Sequence, residues 1–240
     1  MIHNPRVVLS CRILLLLLSL SAVVLCLFFP IHWQDAVNAY VIEARTNFWA
    51  LSTFTMLSNI AVLLFYAAAV VLLILAIKKN GLPGETVALP RLQSCICNAI
   101  FFTMVIYWLI IADWNAQDTF TYTNLCLHLF IPLGFIADYI LFRCPGRMRK
   151  IDILFTYLSA LLYFIVISIM GAFHLHDYYR GTSRAPFVNW WPYGFLNYDA
   201  LGIMPVFIVL GIGMVYLGFS IGLYLIDRRA GKASCALGLH

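Results

Sequence analysis

The sequence predicts an all-α integral membrane protein of six spans, and three observations carry that prediction. Hydrophobic residues make up 63% of the 240 and charged residues 10%, against roughly 25% charged in an ordinary soluble domain. The mean hydropathy is +0.93, more apolar surface than a water-soluble fold of this length can bury. Six segments reach the roughly 20 apolar residues that a hydrocarbon layer of about 30 Å requires: 11–29, 49–77, 92–112, 120–142, 151–173 and 202–226.

The charges orient these segments. With the amino terminus in the cytoplasm and the spans alternating, the inner side collects Arg6, Arg12, Lys78, Lys79, Arg91, Arg143, Arg147, Arg149, Lys150, Arg228, Arg229 and Lys232. The outer side keeps Arg45, Arg180 and Arg184, so 12 of the 15 basic residues fall inside. Basic residues stay cytoplasmic, and both termini are therefore expected inside. The net charge of +5 then marks topology rather than nucleic-acid binding, and the loop "RCPGRMRK" is expected to meet anionic lipid heads.

The first segment, "ILLLLLSLSAVVLCLFF", follows Arg6 and Arg12. It is long for a signal-peptide core and no small-x-small site follows it, so it reads as a retained signal anchor. Neither a repeat nor a linker divides residues 1–240, which read as a single domain. The longest outer segment, 174–201, carries Trp190, Trp191 and several tyrosines, rings that settle at the headgroup layer. None of the seven cysteines falls in an outer loop, so no disulfide framework is expected. Cys95 and Cys97 read as small buried fillers rather than metal ligands.

Polar side chains inside spans need a partner, a wet cavity or the interface. The stretch "NFWALSTFTMLSN" (47–59) places Ser52, Thr55 and Asn59 at i, i+3 and i+7, one helix face, with Ser58 beside them. The fourth segment repeats the pattern with Thr121, Asn124 and His128. Counting from Phe48 and Phe120, Thr55 lies about 10 Å and His128 about 12 Å below the outer end, at 1.5 Å per residue. Two polar stripes at matched depth predict one cavity shared by the second and fourth spans. Pro132, four residues after His128, has no N–H for the His128 carbonyl, so that carbonyl is expected to be left open. The competing reading makes His128 a structural residue bonded to a neighbouring helix. Asp138 lies deeper and is expected to pair with an inner base such as Arg143.

A threonine hydroxyl becomes a nucleophile when a histidine takes its proton. Thr55 and His128 are the candidate pair, with Ser58, Asn59 or Asn124 as donors to a developing oxyanion and Ser52 beside them on the substrate-binding face. Trp191 and Tyr198 are candidates for the lid. A substrate at this depth would be a lipid ester with its carbonyl just below the headgroups. His174, His176 and Asp177 resemble metal ligands in spacing but lack further partners, and read as a headgroup-facing loop; no metal or other cofactor is expected. Asn197 and Asp199 read as caps of the sixth helix, and Gly218-x-x-x-Gly222 as a close helix-packing site.

"FTMLSN" in the second segment, followed by the histidine of "LHLFIPLGFIAD" in the fourth, resembles the androgen-induced gene family of six-helix membrane proteins. "WPYGFLNYDALG" is similar to a segment typical of its bacterial branch. The resemblance runs from Phe48 to the sixth segment. It implies a threonine hydrolase of fatty acid esters of hydroxy fatty acids, with Thr55 as nucleophile and His128 as base. The chain has one histidine in its fourth segment, where animal members tend to have a second beside it, and an Asp where they tend to have a Glu. The expected function is an intramembrane lipid-ester hydrolase, in a bacterial inner membrane or, in a eukaryote, the endoplasmic reticulum or plasma membrane. The rivals are a small transporter or lipid-binding protein without covalent chemistry, and a scaffold with a dry bundle.

Overall fold

The structure is a computed structural model that describes residues 4–29, 31–34, 39–42, 48–80, 90–112, 114–115, 117–142, 146, 148–175 and 190–236. Six of its helices are long and apolar enough to cross a membrane: Pro5–Phe28, Phe54–Lys79, Arg91–Ile111, Tyr122–Phe142, Lys150–Ala172 and Met204–Gly231. These match the six expected segments, and the differences at their ends have local causes. The first helix starts six residues earlier than expected because Asn4 accepts from the Arg6 N–H at 3.0 Å and Pro5 occupies the first helical position. Arg12 thereby stands two turns into the helix rather than at its start. The second helix starts later: Phe48–Ser52 is a 3₁₀ turn, and the Thr53 hydroxyl accepts from the Met56 N–H at 3.2 Å. The described residues depart from an all-helical chain at one place, a short antiparallel hairpin of β1 (Ile31–Gln34) and β2 (Ala39–Ile42).

The third span is the axle of the bundle, packed against the second, fourth, fifth and sixth. One apolar cluster joins Ala22, Met56, Phe65, Tyr66, Ile100, Ile131 and Phe135 of spans one to four. A second joins Phe102, Phe164, Ile167 and Tyr216 of spans three, five and six to Trp191 and Leu196 of the connection before span six. Four polar residues of the third span turn inward: Gln93, Ser94, Asn98 and Thr103 are buried. Each meets a neighbouring span, at Asp138, Tyr139, Ser220 and Ser58 respectively. Large apolar side chains such as Leu14, Leu64, Ile140, Leu162 and Met214 face outward, the pattern of a lipid-solvated exterior. A Cβ added at Gly218 or Gly222 would meet nothing. The expected close packing at that pair is therefore absent among the described residues.

At the bundle end where spans one and three begin and spans two and four finish, Arg12 is fully buried. Its Nε donates to Asp138 Oδ1 at 2.8 Å and its Nη2 to Oδ2 at 3.2 Å, while Gln93 Nε2 donates to Oδ2 at 2.7 Å. The partner of Asp138 is thus a base of the first span; Arg143 lies outside the described residues. Asp227 accepts from the N–H groups of Gly146 and Met148 at 2.8 and 2.7 Å, which fastens the connection between spans four and five to span six.

Candidate functional site

Thr55 stands in the first turn of the second helix, nearer its end than a helix beginning at Phe48 would place it. It lines a narrow pocket with Phe54, Phe102, Thr103, Ile106, Tyr163, Phe164, Tyr193 and Ile212 among the wall residues. The wall is almost wholly apolar and no charged side chain belongs to it. The pocket opens between spans two, three, five and six, with Tyr193 and Phe195 from the connection before span six closing one side. Those two rings stack with centroids 5.3 Å apart.

Tyr193 is the polar neighbour of Thr55. Its hydroxyl accepts from the Phe54 N–H at 3.0 Å and meets the hydroxyls of Thr55 and Tyr163. Burial pushes the phenol above its ordinary pKa, and its hydrogen bonds with Thr55, Tyr163 and the Phe54 N–H pull it back part of the way. It is a neutral O–H donor at any ordinary pH. Tyr163 in turn donates to the Ser52 carbonyl at 3.0 Å. Ser52 belongs to the 3₁₀ turn, so it does not share a continuous α-helical stripe with Thr55 and Asn59.

His128 is buried in the fourth span, which is irregular at this point. Tyr122–Leu125 is α-helical, Cys126–Phe130 is a π turn, and the α-helix resumes at Ile131. π turns inside helices are frequent at functional sites. The third span also ends in one, Tyr107–Ile111, and the two irregular turns face each other. The Tyr107 ring stacks on the His128 imidazole with centroids 3.5 Å apart and planes 14° apart. Trp108 Nε1 donates to the His128 carbonyl at 2.8 Å. That is the carbonyl Pro132 was expected to leave open. In the π register the Leu127 carbonyl also looks toward Pro132 for a donor and finds none. Asn59 Nδ2 supplies it, at 3.1 Å.

The same Asn59 nitrogen donates to the Thr55 carbonyl at 2.8 Å. One buried amide therefore ties the turn that carries Thr55 to the turn that carries His128. The two side chains themselves are not joined by a hydrogen bond among the described residues. His128 Nδ1 lies 3.1 Å from the Asn124 carbonyl. A carbonyl only accepts, so Nδ1 carries the proton and Nε2 of the neutral ring is the proton acceptor.

The remaining expected site residues have other partners. Ser58 Oγ meets the Thr55 carbonyl at 2.9 Å and the Thr103 hydroxyl at 2.8 Å. Thr121 caps the fourth span by accepting from the Asn124 N–H. Trp191 is buried, with its ring against Gly171 of the fifth span, where a Cβ would collide with it. Its Nε1 donates to Asp199 at 3.0 Å and its ring meets Tyr198 at 5.0 Å. Trp191 and Tyr198 thus brace the connection, while Tyr193 and Phe195 face the pocket. Asn197 accepts from the Ala200 N–H at 3.0 Å and caps the single turn before the sixth span. His174 stacks on Trp190 and lies 3.9 Å from Asp199; His176 and Asp177 lie outside the described residues. Cys95 lies 3.3 Å from the Thr156 hydroxyl and Cys97 is buried.

The sequence reading missed Tyr193, Thr103, Tyr107 and Trp108. Thr103 carried the usable signal, a polar residue inside a span. Tyr193 sits in a connection among other aromatics, inside the stretch "WPYGFLNYDALG", but no periodicity set it apart from its neighbours. No family model matches the chain, and comparison with curated proteins and with solved structures finds no match.

Proposed function

We propose that the protein is an intramembrane hydrolase of lipid esters, with Thr55 as nucleophile and His128 as general base. The observation that carries this reading is Asn59, whose amide donates to the carbonyls of Thr55 and Leu127 and so holds the two reacting turns side by side. The apolar pocket beside Thr55 suits an acyl chain, and the uncharged wall suits a neutral ester. Membership of the androgen-induced gene family, on "FTMLSN" and "LHLFIPLGFIAD", belongs to the same proposal. So does the substrate class of fatty acid esters of hydroxy fatty acids.

In the proposed reaction the Thr55 oxygen bonds to the ester carbonyl carbon while its proton passes to His128 Nε2. The tetrahedral intermediate collapses, the carbon–oxygen bond to the alcohol breaks, and His128 returns the proton to the leaving oxygen. Water, deprotonated by Nε2, then attacks the acyl-threonine; the bond from the acyl carbon to the Thr55 oxygen breaks, His128 returns the proton to that oxygen, and the fatty acid leaves and ionises in water. Hydroxyl and imidazole have to close on each other as substrate binds, since catalytic hydrogen bonds are commonly long without substrate. Thr55→Ala and His128→Ala, purified separately and assayed with a lipid ester in liposomes, are each expected to lose at least about a hundredfold in rate. Full activity in either folded variant overturns the mechanism.

One observation favours lipid binding without covalent chemistry: the Thr55 hydroxyl has Tyr193 as its partner. A fluorophosphonate probe separates the two readings, because only an activated hydroxyl is labelled.

The proposed orientation puts both termini in the cytoplasm and the Thr55 end of the bundle outward, supported by the 12 of 15 basic residues on one side. A multi-pass bacterial inner-membrane protein, or one of the endoplasmic reticulum or plasma membrane, fits this. Alkaline phosphatase fused after His240 is expected to be inactive and a fluorescent protein there to fluoresce; the reverse pattern inverts the topology.

A further inference from the structure

We propose that the Tyr193 hydroxyl is the oxyanion donor of this site, which makes Tyr193 a catalytic residue supplied by the connection before span six. The inference rests on the hydrolase reading above and assigns the group that reading lacks. A nucleophilic attack at Thr55 creates negative charge on the ester oxygen beside the Thr55 hydroxyl, and a donor already aimed there is required.

The other neighbours are already committed. Both donating directions of the Asn59 amide end on the carbonyls of Thr55 and Leu127. Ser58 lies between the Thr55 carbonyl and the Thr103 hydroxyl, and Thr103 donates to the Ala99 carbonyl at 3.1 Å. Tyr193 lies on the pocket wall beside Thr55, and its oxygen accepts from the Phe54 N–H. Its own proton lies toward the hydroxyls of Thr55 and Tyr163, at the edge of the space in front of Thr55.

The local wiring improves the donor. Phe54 opens the second helix, so its N–H lies at the positive end of the helix dipole. A phenol that accepts from such a group gives up its own hydrogen bond more readily, because successive hydrogen bonds polarise one another. In the resting site this proton meets the hydroxyls of Thr55 and Tyr163. As the Thr55 hydroxyl turns toward His128, the freed phenol O–H faces the ester oxygen. The aromatic ring of Tyr193, stacked on Phe195, holds the donor in position and closes the pocket in one piece. Proton transfer to Tyr193 is not involved: it stays a neutral donor from attack to collapse.

The test is Tyr193→Phe, which keeps the ring, assayed on a lipid ester beside Thr55→Ala. The expected result is a fall in kcat of about 10²–10³-fold with KM within about twofold. A tyrosine needed only to shape the pocket would raise KM and spare kcat, and that outcome overturns the assignment. Tyr193→Phe at wild-type rate beside an inactive Thr55→Ala overturns the assignment while the hydrolase reading stands. An active Thr55→Ala overturns both. Should Tyr193→Phe fail to fold, difluorotyrosine at position 193 decides. Its more acidic phenol is expected to bring the alkaline loss of kcat to lower pH, and an unmoved profile rejects the donor role.

Discussion

The two ends of the bundle solve the same problem in opposite ways. Both place polar groups among apolar helices, where an unmatched one is expensive. At the Arg12 end the groups are charged and closed on each other. Asp138, Asp152 and Asp227 are all buried, and each has a partner: Arg12 and Gln93 for Asp138, Arg91 and the Arg149 N–H for Asp152, two backbone N–H groups for Asp227. At the Thr55 end the groups inside the bundle are neutral hydroxyls, amides and an imidazole. There the helices of spans three and four lose their regular register, and a pocket remains. On the proposed reading, the difference separates holding from reacting. A closed ion pair fixes two helices and has nothing left to offer a ligand. A helix with displaced carbonyls, held by side chains from its neighbours, can present groups to a cavity.

The largest expected effect lies at the closed end. Asp138→Ala leaves the fully buried Arg12 guanidinium without its counter-charge, and removing one partner of a buried pair costs about 3–5 kcal/mol. The loss is to be read as a fall in thermal midpoint of the detergent-solubilised protein. Replacing both partners, Arg12→Met with Asp138→Leu, is expected to recover most of it, because the desolvation cost disappears with the charges. If Asp138→Ala matches wild type in stability, the pair is not what fastens span one to span four.

How much of this contrast was legible differs between the two ends. The six spans were, because hydropathy over some twenty residues is a strong local signal, and Pro132 correctly foretold an open carbonyl at His128. Arg12 was read as a topology signal near the membrane surface. Its pairing with Asp138 crosses 126 positions, and a single sequence does not register a contact at that distance. The matched depth of Thr55 and His128 was counted on continuous α-helices, whereas the chain has a 3₁₀ turn before one and a π turn at the other. Departures of one residue in helical register leave no mark in composition. The pocket beside Thr55 is accordingly not the expected one shared with span four: its wall comes from spans two, three, five and six and the connection before span six. What joins the turns of Thr55 and His128 is the Asn59 amide on the Thr55 and Leu127 carbonyls, because a buried amide seeks carbonyls wherever proline has freed them. Tyr193 was out of reach for a different reason: its role depends on how a loop folds back, which no periodicity encodes.

Asn59 is where the comparison can be sharpened, since it performs at the open end the fastening that Arg12 performs at the other. It is fully buried, and its two acceptors differ in what they lose without it. The Thr55 carbonyl keeps the Ser58 hydroxyl. The Leu127 carbonyl faces Pro132 and has no backbone donor in the π register. Asn59→Leu, close in volume, therefore strands one buried carbonyl, at a cost of about 1–3 kcal/mol. That is smaller than the loss at Asp138 because no charge is left behind. The same substitution unties the turn of Thr55 from the turn of His128, so ester hydrolysis is expected to fall further than the loss of folded protein explains. Measuring rate per folded molecule beside the thermal midpoint separates the two effects. A variant that loses stability but keeps its full rate would mean that Asn59 only repairs the proline break, and that the neighbourhood of Thr55 and His128 owes nothing to it.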